Sequence, residues 1–328
     1  MDHRRFGRTN LQVPAITFGG GWVGGVLIHH DRETAHRALD TAWAAGIDWI
    51  DTAAQYGNGV SETVIGGWLA GRGAGQRPGL STKFRIDPDE GDVRGQMLRS
   101  VEGSLGRLGL DRVEVIILHN QIDAEGHRGS RSLEARTALE MADTMETLRE
   151  QDLCDWLGMT AIGDPSALHQ VAGSGRFDVA QVYYNILNPT AAAGRQPWNS
   201  TDFDGLLQTC AGQDMGVMGI RIFAGGHLAS TARHGREIPI TTHADDAAEE
   251  ARAQVAWATL TPEDGTHAQA AVRFGLACPQ VSTVVVGLGD LDHLALAIAA
   301  EGRGALPQDR LSALEAMLSD PAFTMYGG

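Results

Sequence analysis

The sequence predicts an α/β fold, a (β/α)8 barrel of the TIM type with a short N-terminal β-hairpin and long loops that would cover a cofactor. Three observations carry this. Short apolar runs alternate with helix-like segments about eight times, and the whole alternation fits a chain of 328 residues. The runs are apolar throughout rather than at every second position, as in parallel strands buried on both faces. Eight such units are the size and rhythm of a closed barrel. An open doubly wound sheet is the rival, but the GGGWVGG run at 19–25 lacks the GxGxxG spacing and no GK[ST] motif occurs.

Taken in order, FGRTNLQVPAI has turn chemistry at Gly7–Asn10 between short apolar pieces and predicts the hairpin. The eight strands are then expected at 15–20, 48–53, 79–84, 113–120, 155–161, 179–185, 216–223 and 282–288. Apolar residues at helical spacing predict helices over Thr34–Ala45, Gly91–Leu108, Leu133–Leu148, Pro165–Ala172, Phe203–Ala211, His267–Ala277 and Leu291–Ala299. Asp31 and Asp164 are placed to cap two of them, with Pro165 in the first helical position. The connection from about 224 to 262 is Gly-rich at first, then polar and acidic, and ends near a second apolar helix; connections of that length without regular structure usually serve function or move. With no linker-like segment, residues 1–328 read as one domain.

At 43% hydrophobic, the chain can bury a large core. Its formal charge of −15 argues against nucleic-acid or anionic-membrane partners, which reward clustered cations. Cys154, Cys210 and Cys278 are widely spaced, which excludes a disulfide framework or a CxxC zinc site. The charged start MDHRRFGRTN does not read as a signal peptide, and no apolar run reaches membrane-spanning length, so a cytoplasmic location is expected.

Chemistry in such a barrel sits where strands end at the C-terminal face. That rule selects Asp51 at the second strand, Tyr56 in the following loop, Lys83 at the third strand and His119 at the fourth. Each has a plain structural alternative: a cap, a packing ring, a salt bridge, a rim histidine. Together they form a coherent proton-handling group. A phenol is a weak acid, with an ordinary pKa of about 10. A neighbouring Lys83 ammonium favours the phenolate and makes Tyr56 a better acid. Asp51 supplies the counter-charge that buried Lys83 needs. His119 is placed to orient the substrate oxygen by donating a hydrogen bond. The set would exchange a proton with a carbonyl or alcohol while a nicotinamide exchanges hydride, without a metal.

These segments resemble the aldo-keto reductase family from end to end. FGRTNLQVPAITFGG is similar to that family's hairpin and first strand, DWIDTAAQYGNGVSETVIGGWL to its Asp and Tyr segment, STKF to its Lys strand and IILHN to its His strand. DWLGMTAIGDPSAL, FDVAQVYYNILNP and VVVGLGDLDHLALAI occupy its later cofactor-binding segments. The resemblance implies an NAD(P)(H)-dependent interconversion of a carbonyl and an alcohol, with Asp51, Tyr56, Lys83 and His119 as the catalytic set. It implies that Gln181 holds the nicotinamide amide. The family's Ser-Asn pair appears here as Thr160-Ala161, of which only Thr160 can hydrogen-bond, and the usual stacking aromatic is replaced by Ile220-Arg221. Arg221 is a candidate for the pyrophosphate, or an ordinary strand-end arginine.

After the eighth strand, Gly287 is followed by Leu288, Gly289 and Asp290, where NADPH-specific members commonly carry a cation. The missing cation leans the reading toward NAD or use of both NAD and NADP. Asp290 is either an acceptor for a ribose hydroxyl or an N-cap. Trp22 and Asn120 are candidate substrate linings, as are Trp198 in the 190–202 loop, the 121–132 loop and Tyr326 near the C-terminus. The implied partner is a small carbonyl compound or sugar. Two alternatives stay open: a nucleotide-binding regulatory subunit of the potassium-channel β type, and a sugar epimerase or lyase using the nicotinamide transiently. Substrate, direction and oligomeric state are not encoded in these motifs.

Overall fold

The structure, a computed structural model, describes residues 1–73, 75–124, 132–193, 201–230, 235 and 246–324. An antiparallel hairpin of β1 (His3–Arg5) and β2 (Gln12–Pro14) comes first. Its turn is a short 3-10 segment at Gly7–Thr9, closed by Asn10 in the left-handed conformation (φ 56). The barrel strands are β3 (Ile16–Gly19), β4 (Trp49–Asp51), β5 (Gly79–Phe84) and β6 (Val113–Leu118). After the short parallel pair β7 (Gln121–Asp123) and β8 (Ser132–Glu134) come β9 (Cys154–Ala161), β10 (Val179–Tyr183), β11 (Gly216–Ile220) and β12 (Thr283–Gly287). The eight close in the order β3-β4-β5-β6-β9-β10-β11-β12, with β12 pairing back onto β3. All eight pairings are parallel.

The helices are α1 (Arg32–Ala44), α2 (Val60–Leu69), α3 (Val93–Leu108), α4 (Ala135–Glu150), α5 (Pro165–Ala172) and α6 (Thr190–Ala193). They continue as α7 (Leu206–Gly212), α8 (Asp246–Thr259), α9 (His267–Ala277), α10 (Leu291–Gly302), α11 (Gln308–Met317) and α12 (Pro321–Thr324). The expected caps are made: Asp31 accepts from the Thr34 amide at 2.8 Å, and Asp164 from Ser166 at 2.9 Å. None of the helices among the described residues is long and apolar enough to cross a membrane.

Strand alternation separates two apolar volumes. On β6, Val115 and Ile117 point into the barrel, while Ile116 and Leu118 join the layer beneath the helices. The barrel interior is closed at the N-terminal end by the hairpin, where Phe6 packs edge-on against Trp49 with ring centroids 5.6 Å apart. Gly7 is required there: its φ is +54, and a Cβ would lie 2.2 Å from the Gly216 backbone nitrogen. At the opposite, C-terminal end stand polar strand-end residues, among them Asp51 and Lys83.

The observed structure departs from the sequence reading in several places. Helices α2, α6, α8, α11 and α12 and the β7–β8 pair were not expected. VSETVIGGWL (α2) has apolar residues on most sides and two glycines, so its period is weak; it forms because Gly66 lets it lie against α3, where a Cβ would meet the Arg107 carbonyl at 2.1 Å. The connection after β11 is not irregular over 224–262, because Asp246–Thr259 forms α8. β10 and β11 also end at Tyr183 and Ile220, short of the expected 185 and 223.

Candidate active site

Asp51 is the last residue of β4, and strand register sets it beside Ser81 on β5. Lys83, two residues on, shares the inward face with Ser81. Both charged groups are buried, at 2% and 1% exposure. The Lys83 ammonium donates to Asp51 Oδ2 at 2.7 Å, to the Thr52 carbonyl at 2.7 Å and to the Tyr56 hydroxyl at 3.2 Å. Its three protons therefore have three acceptors. Burial alone would lower the Lys83 pKa, but the charge of Asp51, with the oxygen of Tyr56, more than offsets it and holds the pKa above the ordinary lysine value. Lys83 is thus a fixed cation.

Asp51 is itself held from two further sides. Ser81 Oγ donates to Oδ1 at 2.7 Å, and Gln181 Nε2 donates to the same oxygen at 2.8 Å. Gln181 lies on β10, four strands away around the ring in either direction, so this bond crosses the barrel interior. The resemblance assigned Gln181 to the nicotinamide alone; its amide nitrogen is bound to Asp51.

Tyr56 follows in the β4–α2 loop, and its ring stands edge-on to His119 with centroids 5.8 Å apart. A Cβ on Gly21 would lie 3.8 Å from the Tyr56 ring, so the β3 loop also reaches the phenol. His119 follows β6, half-buried, with Nδ1 3.2 Å from Gln55 Oε1. Burial, then the positive charges of Lys83 and Arg85, push its pKa well below the ordinary histidine value. His119 is therefore neutral at physiological pH. The four expected residues meet at one mouth.

The flanking candidates divide. Thr160, near the end of β9 and in register with Gln181, has a buried hydroxyl without a hydrogen-bond partner among the described residues. An orphaned buried hydroxyl is costly unless a ligand satisfies it. Arg221 follows β11 with φ +59, and Ala224, at φ +47, is another non-glycine residue nearby in the left-handed region. Such strain clusters where a chain serves a ligand. Burial pushes the Arg221 pKa down, while the oxygens of Tyr183 and Tyr56 act the other way. Gly287 ends β12 exposed, with open space where a Cβ would be. These residues, at the ends of β9, β11 and β12, would suit a polar, anionic ligand.

Other candidates take structural roles. Asp290 caps α10, accepting from the His293 amide at 2.8 Å, so of its two readings the structure supports the N-cap. The Gly289 carbonyl accepts from His30 at 2.8 Å, and its amide lies 3.2 Å from His293 Nδ1. Asn120 is fully buried and clamps the Ile86 backbone, accepting at 3.1 Å and donating at 2.9 Å. Trp22 is 43% exposed and edges against His29 at 4.6 Å. Trp198 and Tyr326 lie outside the described residues. Among the described residues, no three His, Cys, Asp or Glu side chains are grouped to hold a metal ion.

Sequence reasoning missed Ser81, Thr52 and Gln55. The first had a signal, since Ser81 stands two residues from Lys83 on one strand face; Gln55 had only its adjacency to Tyr56.

Comparison with known proteins gives the family and the fold. The model of the aldo/keto reductase family matches residues 15–319. D-threo-aldose 1-dehydrogenase of Pseudomonas sp is 29% identical over 255 residues, covering 69% of this chain and 71% of that protein. The putative voltage-gated potassium channel subunit beta of Schizosaccharomyces pombe is 34% identical over 131 residues, 36% of each chain. The fold matches that of aldo-keto reductase AKR11C1 from Bacillus halodurans in its holo form, with a TM-score of 0.73 and 19% identity over 97% of this chain and 96% of that one.

Proposed function

The chain belongs to the aldo/keto reductase family, and we propose that it is an NAD(P)(H)-dependent oxidoreductase that interconverts a carbonyl compound and its alcohol. The observation that carries the reading is the Lys83 ammonium, bound at once to Asp51 at 2.7 Å and to the Tyr56 hydroxyl at 3.2 Å. A buried ammonium needs a counter-charge, but it does not need a phenol. The third contact gives the arrangement a chemical use.

In reduction, Tyr56 delivers the proton to the carbonyl oxygen; in oxidation it takes the proton from the alcohol. The hydrogen bond from Lys83 stabilises the negative charge left on the phenol oxygen. Asp51 balances Lys83, and Ser81 and Gln181 hold Asp51 in place. His119 orients the substrate against Tyr56, and Trp22 borders the mouth. Thr160, Gln181, Arg221 and the Gly287–Gly289 segment would hold the nucleotide. When bound, that cofactor supplies or accepts the hydride at the reacting carbon.

The substrate class we favour is an aldose or small hydroxylated aldehyde, supported by the aldose dehydrogenase among the relatives. The absence of a cation at 288–290 favours NAD, or use of both cofactors. A screen of aldoses, aldehydes and ketones with both cofactors, in both directions, tests the proposal. Turnover of at least one class is expected. Cofactor binding without turnover of any would contradict it and favour a binding role instead.

A further inference from the structure

Below Asp51 a chain of buried hydrogen bonds continues into the barrel. Trp49 shares the inward face of β4 with Asp51, and its indole Nε1 donates to Ser81 Oγ at 3.4 Å. Ser81, itself fully buried, donates to Asp51 Oδ1 at 2.7 Å, while the other oxygen, Oδ2, receives Lys83. Chemistry fixes the direction of each bond. An indole only donates and a carboxylate only accepts, so the one Ser81 proton points to Asp51. The indole is seated by its neighbours. Gly79, its partner on β5, leaves the space the ring fills, since a Cβ there would lie 2.3 Å from the Trp49 ring, and Phe6 packs against it from the hairpin. Gln181 also donates to Oδ1, but in the function proposed above its amide serves the nucleotide as well. The Ser81 proton is committed to Asp51.

Resting on that proposed function, we infer that Ser81 is a positioning residue for the proton step: aimed by Trp49, its hydroxyl holds Asp51 and draws on its charge, and so sets, through Lys83, how readily Tyr56 gives up its proton. The carboxylate and the phenol share one ammonium. Each donor on Oδ1 spreads the charge of the carboxylate. Less of the Lys83 charge is then cancelled, and more is left for the phenol oxygen as it becomes negative. The other titratable groups that face the phenol are His119 after β6, which is neutral, and Arg221 after β11, whose charge reaches the phenol oxygen. Without the Ser81 hydroxyl the phenol becomes a weaker acid, while the groups at the mouth stay in place.

Two measurements test this. The first needs no turnover: ultraviolet absorbance reads tyrosine ionisation against pH, with the Tyr56→Phe protein subtracted to isolate Tyr56. In Ser81→Ala the midpoint should rise by about half a pH unit, roughly a threefold loss of phenolate at a fixed pH. Ser81→Thr, which keeps a hydroxyl, should restore it. Trp49→Phe, which keeps a ring but not the indole N–H, should raise it by less and decides alone if Ser81→Ala does not fold. A midpoint unmoved in Ser81→Ala, moved as far in Ser81→Thr, or unmoved in Trp49→Phe overturns the inference. The second follows kcat and KM against pH for a carbonyl substrate found in the screen. The kcat profile of Ser81→Ala should shift with the titration, at a KM within about twofold of the original. A raised KM on an unshifted profile would mark Ser81 as a pocket residue and overturn the inference. If no carbonyl is turned over, the proposed function fails, and the titration still decides the role of Ser81.

Discussion

Replacing Lys83 by methionine removes a cation whose counter-charge cannot reach water. Asp51 would remain at 2% exposure, with Oδ2 stripped of its 2.7 Å partner. Breaking a buried pair from one side costs about 3–5 kcal/mol. Ser81 and Gln181 still donate to Oδ1, at 2.7 and 2.8 Å, which places this case at the lower end, near 3 kcal/mol. For 328 residues, an unfolding entropy of about 2.1 cal/mol/K per residue converts this to a Tm lower by about 4 °C. The Asp51→Asn/Lys83→Met double variant removes the stranded charge. It should be more stable than the sum of the single effects predicts, by about 2 kcal/mol, as expected for residues in direct contact. Denaturant unfolding of the four proteins at pH 7 measures this. Lys83→Met with an unchanged Tm, or strict additivity, would refute the view that these two charges are held as a pair.

Three further outcomes follow from the same contacts. His119 is neutral in the fold, whereas an unfolded imidazole takes a proton below about 6.5. The unfolded state therefore binds the extra proton as pH falls through that value, and stability should drop by up to about 1.4 kcal/mol per pH unit from this group. Unfolding at pH 7, 6 and 5 in the original and in His119→Gln should show the shallower slope in the variant. Asp290→Ala removes the α10 cap and should cost about 1 kcal/mol while leaving the ratio of NADH to NADPH affinity unchanged; a shifted ratio would restore the carboxylate to a cofactor role. Gly66→Ala places a Cβ 2.1 Å from the Arg107 carbonyl and should cost about 1–3 kcal/mol in thermal or denaturant unfolding.

The barrel was legible because its signals are local and repeated. The parallel strands are largely apolar on both faces, and Asp31 and Asp164 mark helix starts that the structure uses. α2 was hidden because the glycine that weakens its helical pattern is there for a contact with α3, a residue pair 41 positions apart in sequence (66 and 107). The charged pair of the site was legible for the same local reason: strand ends are identifiable, and a lysine beside an apolar run needs a nearby carboxylate. Gln181 was read only through the resemblance, since its bond to Asp51 crosses the barrel and depends on closure. Asn120 and Asp290 show the reverse limit. A polar residue at a strand end can serve substrate or backbone, and only coordinates reveal that Asn120 holds Ile86 and Asp290 holds α10.

The central claim is that the phenol oxygen beside Lys83 handles the reacting proton. Tyr56→Phe removes one oxygen and leaves the Lys83–Asp51 bond at 2.7 Å in place. On a substrate found in the screen, kcat should fall by about 10²–10⁴-fold, with cofactor affinity measured by fluorescence quenching essentially unaltered. Turnover within a few-fold of the original protein, at unaltered cofactor affinity, would contradict the account.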